Sequence, residues 1–324
     1  MILIVQILEL FGGIGSPRVA LRNLGISTKA SDYVEIDEKA VRSYNAMFAD
    51  ELPYKTQTVV GWNLKPDILI HGSPCQSVSI CGWISPKGRP EGADEGSGTQ
   101  SSLMWETIHI IQQMGKWKPK VVIWENVKGV RYKGMKENFQ RYLDEMSKLG
   151  YTNNHKCLDA RDFGIPQARE RVFTISCLNG KKFDFDKLKH TPMRPLSEFL
   201  QDNVSNDYLV TQPSILNTIG VKGSVKRATV ISDYAYTITE RQDRCPAQVI
   251  DCGNGKYRFL TELECWRLFG YSDEDYYAAE SANPKGNALV NRTLYRQAGN
   301  SIVVDVLIAL LKQMDITKYG IENE

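Results

Sequence analysis

Asp67-Ile-Leu-Ile-His-Gly-Ser-Pro-Cys-Gln76 is an aliphatic run that stops on a turn and a thiol. A short apolar run bounded by turn residues reads as a buried strand. In an open α/β sheet, ligands bind just outside the carboxyl ends of the strands. Cys75 therefore stands where a nucleophile is useful, with Pro74 restricting the backbone beside it. The Gly- and Ser-rich stretch that follows, 76–98, has the composition of a mobile lid. A lone cysteine in such a place is more often a small buried hydrophobe. The decision belongs to the rest of the chain.

Outward from this run, strand-like and helix-like segments alternate. Residues 2–8, 67–71, 120–125 and 171–177 read as strands, and 18–24, 37–48, 102–114 and 135–149 as helices. In the last of these, Met135, Phe139, Tyr142, Leu143, Met146 and Leu149 fall on one helical face. Alternation of this kind predicts parallel strands with crossover helices on both faces. The pattern changes after about residue 185. Pro192, Pro195 and Pro213, with short β-branched runs at 228–232 and 236–239, mark 186–258 as an irregular, β-rich insert. Helical periodicity returns at 260–269 and 302–310. The expectation is an α/β domain built from 1–185 and 259–324 and interrupted by that insert.

Composition bounds the function without choosing it. The 324 residues are 42% hydrophobic and 24% charged, as in ordinary globular enzymes, and suffice for one large core. A net charge of +2 neither demands nor excludes nucleic acid, so any DNA-binding surface must come from local clustering. Seven cysteines, odd in number and without a CxxC pair, argue against a disulfide framework or zinc site and for a reducing compartment. The apolar start lacks a basic leader, and no stretch is expected to span a membrane.

Several groups can carry chemistry, each with a plainer reading beside it. Glu9-Leu-Phe-Gly-Gly-Ile-Gly-Ser16 joins the first strand to a helix, and its glycines let backbone approach a ligand. It does not complete a dinucleotide fingerprint, because Arg18 occupies the third glycine position. Glu35 ends the next strand-like segment, where a carboxylate can hold ribose hydroxyls. The pair points to a nucleoside cofactor without a pyrophosphate; a tight turn with no ligand would look the same. Glu125-Asn126-Val127 closes the 120–125 strand, where Glu125 is either a general acid of raised pKa or part of a helix cap. Arg169 and Arg171, in Gln167-Ala-Arg-Glu-Arg171, suit an anion or a carboxylate, as would a solvated surface pair. Asn300 and Ser301, in Gln297-Ala-Gly-Asn-Ser301, read on local grounds as a cap for the last helix. In the insert, Lys222, Lys226 and Arg227, then Thr239, Arg241 and Arg244, suit phosphate and base-edge contacts, with solvated charge as the alternative.

Taken in order, ELFGGIGS, PCQ, ENV, QARER, LTELECWRLFGY (260–271) and QAGNS resemble the DNA (cytosine-5) methyltransferase family. The likeness runs from residue 8 to about 312 and omits only 186–258, the slot of the family's target recognition domain. The resemblance implies a Rossmann-like, S-adenosylmethionine-dependent methyltransferase fold with a small β-rich recognition domain. It implies that Cys75, beside Pro74, attacks C6 of a flipped cytosine, that Glu125 meets N3, and that Arg169 and Arg171 contact the base. Phe11, Gly13, Ile14 and Gly15 would cradle S-adenosylmethionine, with Glu35 on its ribose and Ile36, Leu103, Asn300 and Ser301 completing the contacts. Gln76, Ser79 and Cys81 in the lid would approach the DNA. Glu9 and Gly12 replace the family's more usual Asp and Ala, Ile36 replaces an aromatic, and no Asp lies between 51 and 66. The implied protein is a cytoplasmic monomer acting on double-stranded DNA without a metal, as a bacterial or phage modification enzyme. A transfer-RNA methyltransferase of the same fold would carry a Cys-Phe-Thr triplet in the insert, where this chain has Tyr236-Thr-Ile-Thr239. An inactive DNA-binding paralogue would not need Cys75, Glu125 and both arginines intact.

Overall fold

The computed structural model describes residues 5–26, 31–62, 65–73, 100–132, 135–221, 227–242 and 247–315. The strands are β1 (Ile7–Leu10), β2 (Ser31–Val34), β3 (Ile68–His71), β4 (Val121–Val127), β5 (Tyr151–Asp159), β6 (Gln167–Ala168), β7 (Glu170–Leu178), β8 (Ala228–Val230), β9 (Ala235–Tyr236), β10 (Ala247–Asp251) and β11 (Tyr257–Arg258). The helices are α1 (Ser16–Asn23), α2 (Glu38–Met47), α3 (Met104–Gln113), α4 (Lys136–Lys148), α5 (Pro213–Leu216), α6 (Glu262–Arg267), α7 (Asp273–Ala282), α8 (Arg292–Asn300) and α9 (Val304–Met314). Six strands form the main sheet, in the order β2-β1-β3-β4-β7-β5.

Successive residues of the central strands enter opposite cores. Ile68, Ile70, Val121 and Ile123 face α1, α6, α8 and α9, while Leu69, Val122 and Trp124 face α3 and α4. A strand buried on both faces must be apolar at every position, which is why these segments read as continuous runs. The helices lie on both faces, as the alternation predicts.

The sheet is mostly parallel, as expected, with one strand reversed. β1 runs parallel to β2 and β3, and β3 to β4, but β7 is antiparallel to both β4 and β5. A parallel connection needs a crossover of about a dozen residues or more, and only 160–169 separate β5 from β7. β5 itself is absent from the sequence reading. It is an edge strand of mostly polar residues with little of its length buried, so it carries no apolar run to detect.

The insert divides between two cores. Val210, Ile215, Ala228, Ala247 and Val249 form a small cluster beneath the three-stranded sheet β11-β10-β8. Leu188, Leu196, Phe199, Ile231, Ala235 and Ile238 instead belong to the main core. Arg258 at the end of the insert donates from both Nη atoms to Glu264 of α6, at 2.8 Å each, welding the insert's last strand to the helix that follows.

A correction concerns the end of the chain. Arg292–Met314 is long and apolar enough to cross a membrane by composition. It consists of two helices, α8 and α9, separated at 301–303, and its apolar residues fill the main core.

Candidate active site

The strand order turns back between β1 and β3, and ligands in open α/β sheets bind at such a switch point. A cleft opens there. It is lined by the end of β1 and its loop (Glu9 to Ile14), by Ile70, His71 and Gly72 from β3, by Glu125 from β4, and by Asn300, Ser301 and Ile302. The empty space between these walls is about 420 Å³, open solvent included.

Backbone geometry makes the first wall. Gly13 has φ 54° and a Cβ there would meet nothing within 4 Å, so this residue presents bare backbone to open space. Gly15 (φ 83°) has no such room: a Cβ would approach Tyr44 to 2.5 Å. Phe11 also holds φ 54°, a conformation a side chain adopts only when its surroundings enforce it. β2 and the residue after it hold the same loop at Gly13. Gly13 N–H donates to Glu35 Oε2 at 2.9 Å, and Tyr33 O–H donates to Gly13 O at 2.6 Å. Glu35 Oε1 accepts from Ile36 and Asp37 N–H at 2.8 Å each, leaving Oε2 with acceptor capacity. Ile36 follows with 73% of its surface exposed, so an apolar face is available to a ligand beside Glu35. Leu103 ends the 3-10 turn Gln100–Leu103 and leads into α3, half-buried. Pro17 begins α1, a position where its missing N–H has no cost.

Glu125 makes the second wall. Its Oε1 pairs with Arg171 Nε at 3.1 Å, and a Cβ placed on Gly72 would lie 3.8 Å from Oε2. The carboxyl therefore sits over the end of β3, three residues ahead of Cys75. Burial raises its pKa, against the opposing pull of Arg171 and Arg169. The two arginines have separate tasks. Arg171 faces Glu125, whereas Arg169 is buried over the Phe269 ring and donates to the carbonyls of Ile238 (3.1 Å), Gly299 (3.0 Å) and Ser301 (3.0 Å). The Arg169 Nη atoms tie the insert to α8, while its charge also acts on Glu125.

The strand that leads to the thiol is braced from below. Trp124 Nε1 donates to Ser73 Oγ at 3.0 Å, and His71 lies parallel to the Trp124 ring. Burial pushes the His71 imidazole down to about 3, so it is neutral, with Nε2 3.0 Å from Tyr142 Oη. Sequence patterning offered no sign of this layer, because each member reads as an ordinary core residue.

Asn300 and Ser301 also change role. Asn300 is the last residue of α8 and Ser301 its C-cap, so neither caps the final helix, which starts only after Val303. Helix 292–300 has too few apolar residues in its second half to separate it from a loop by periodicity. Ser301 Oγ, Tyr271 Oη and Ser16 Oγ form a chain, at 3.3 Å and 2.7 Å, across the floor of the cleft. Asn300 donates to Glu240 Oε1 at 3.1 Å. In the insert, Thr239 is half-buried and Arg227 and Arg241 are exposed. Pro74, Cys75, Gln76, Ser79, Cys81, Lys222, Lys226 and Arg244, and the lid expected at 76–98, lie outside the described residues. Among the described residues no group of three or more His, Cys, Asp or Glu side chains could hold a metal ion.

The model of the C-5 cytosine-specific DNA methylase family matches residues 5–315. The chain is 35% identical over 257 residues to type II methyltransferase M2.ScrFI of Lactococcus lactis subsp. cremoris, a match spanning 76% of this chain and 66% of that protein's length. It is 29% identical over 330 residues to type II methyltransferase M.HhaI of Haemophilus parahaemolyticus, spanning 94% and 92%. Among solved structures, the S. pombe Dnmt2 methyltransferase superposes with a TM-score of 0.72 at 18% identity, covering 98% of this chain and 99% of that one. At that identity the likeness speaks for the fold alone.

Proposed function

The chain belongs to the C-5 cytosine-specific DNA methylase family, and from that membership we propose that it converts cytosine to 5-methylcytosine at one short sequence in duplex DNA. The observation that carries the site assignment is Glu125, a buried carboxyl of raised pKa held over the strand end that leads to Cys75. The type II relatives support a role in restriction-modification.

The atoms of the cytosine ring dictate what the residues do. A duplex hides C6 in the stack, so the base is flipped out before attack. The Cys75 thiolate forms a bond to C6, the ring electrons shift toward C4 and N3, and the Glu125 carboxyl meets the charge gathering on N3 with its proton. S-adenosylmethionine, when bound, supplies the methyl group that the electron-rich C5 takes. Loss of the C5 proton to solvent then expels the thiolate, restores the ring double bond and returns the N3 proton to Glu125. A free thiol is only a few per cent ionised at neutral pH. Arg171, already paired with Glu125, adds positive charge to a site in which two anionic groups must coexist.

Features of the cleft support S-adenosylmethionine as the cofactor. Bare backbone at Gly13, acceptor capacity on Glu35, and the exposed Ile36 surface match a nucleoside with an apolar base face and ribose hydroxyls. Phe11, Ile14, Gly15, Leu103, Asn300 and Ser301 would complete its binding. Residues 186–258 are the proposed target recognition domain, with Arg227, Thr239 and Arg241 toward the duplex.

Expression in a methylation-free host, followed by bisulfite sequencing of its DNA beside a Cys75→Ser control, tests the proposal. Methylation in a single sequence context, absent from the control, is the expected result. Unmodified DNA together with modified transfer RNA would overturn it.

A further inference from the structure

The backbone ladder between β3 and β4 runs from Ile68 opposite Val121 to His71 opposite Trp124, and ends there. The residues that matter for the reaction come just after it. Cys75 lies four residues beyond His71, and Glu125 directly follows Trp124. Past the end of the ladder a side-chain bond takes over. Trp124 Nε1 donates to Ser73 Oγ at 3.0 Å, and both residues are buried. An indole has one N–H and no acceptor, so the direction of this bond is fixed.

The indole has little freedom to turn. Its ring lies parallel to His71, with 5.6 Å between centroids, and 4.2 Å from Tyr142 and 5.7 Å from Phe139 of α4. The His71 ring is itself held between Tyr142 Oη, 3.0 Å from Nε2, and Thr107 Oγ1 of α3, 3.4 Å from Nδ1. Rings from two strands and a helix therefore aim one donor at Ser73. Neighbouring residues of a strand point to opposite faces, so Trp124 acts from the core while Glu125 stands in the cleft. Apolar packing at 124 calls for a large ring; only the contact with Ser73 calls for an N–H.

We propose that Trp124 and Ser73 are positioning residues, whose hydrogen bond holds the end of β3, from which the chain runs on to Cys75, at a fixed offset from Glu125. The proposal rests on the function proposed above. There the thiolate must reach C6 while the carboxyl meets N3 of the same flat ring, so the two strand ends have to keep one separation. A displacement of about 1 Å at such a site can cost about a hundredfold in rate.

Trp124→Phe keeps an aromatic ring and removes the donor, and Ser73→Ala removes the acceptor. Both are compared with the native chain by single-turnover methyl transfer to a duplex carrying the context that bisulfite sequencing finds. Equilibrium binding of that duplex and of S-adenosylhomocysteine is measured alongside. Each single variant should transfer about tenfold to a hundredfold more slowly, with both affinities within a few-fold of native. Since both remove the same bond, the double variant should be no slower than the slower single one. A merely structural role would weaken binding along with rate, or make the two losses multiply. Either result overturns this inference, as do native rates in both single variants. Should Trp124→Phe fail to fold, Ser73→Ala decides alone: slow transfer at native affinities supports the positioning role, and a native rate overturns it. In all these outcomes the native chain methylates DNA. A native chain that binds the duplex and transfers no methyl group overturns the proposed function, and the positioning role with it.

Discussion

Glu125 and Arg169 show how far single residues can be read. The carboxyl at the end of β4 was legible, because an acid at the carboxyl edge of a buried strand has few structural uses. Its partner was not, since Arg169 and Arg171 are two residues apart and chemically identical. Strand register separates them: Arg171 lies opposite Val127 in β7, close to Glu125, while Arg169 precedes the strand and turns toward α8. Their tasks differ accordingly. Glu125→Gln keeps the shape and removes the titratable proton, so turnover on DNA should fall by about a hundredfold or more, with cofactor affinity nearly unchanged. Steady-state kinetics beside equilibrium cofactor binding checks this. Turnover within a few-fold of the native chain would remove Glu125 from the proton-transfer role.

Among the elements, the joint between the insert and α8 carries most of the geometry that sequence patterning missed. Gly299, inside α8, packs against chain rather than side chain: a Cβ there would meet the Thr239 carbonyl carbon at 2.5 Å and Glu240 N at 2.6 Å. Around that contact, Gln167 accepts from Ile238 N at 3.1 Å, Thr237 donates to Ala168 O at 2.7 Å, and Arg169 spans Ile238, Gly299 and Ser301. Thr239, proposed to face the target, is thereby held in fixed relation to the cleft. Backbone cannot move aside as a flexible side chain can, so Gly299→Ala should cost about 1–3 kcal/mol of stability and open 235–242 to proteolysis. Denaturant unfolding and limited proteolysis measure the two effects. Native stability with an unchanged cleavage pattern would show that the joint has slack.

Across the whole molecule, several carboxyls sit where burial outweighs their partners. Glu9 is lifted to about 8 and Asp305 to about 6, and Glu125 and Glu262 are also raised. A carboxyl whose folded pKa is raised contributes stability that is complete below its unfolded value and is lost as pH climbs through the folded one. His71, lowered from 6.5 to about 3, works oppositely: its contribution is complete above 6.5 and is lost as pH falls toward 3. Above pH 6.5 only the carboxyls still titrate among these groups, so the Tm of the ligand-free protein should decline from pH 6.5 to 9. Glu9→Gln should flatten that decline. A level profile in the native chain would show that Glu9 is already ionised and paired in the free state. The same buried groups divide what the chain declares from what folding adds. The sequence by itself determined the α/β class and the family, because strand apolarity and ordered motifs are local patterns. The tertiary structure alone decided the antiparallel β7, the division of labour between Arg169 and Arg171, the close packing at Gly299, and the burial of Glu9. These depend on which surfaces meet, and a carboxyl's solvation and partners are set by neighbours that lie far away along the chain.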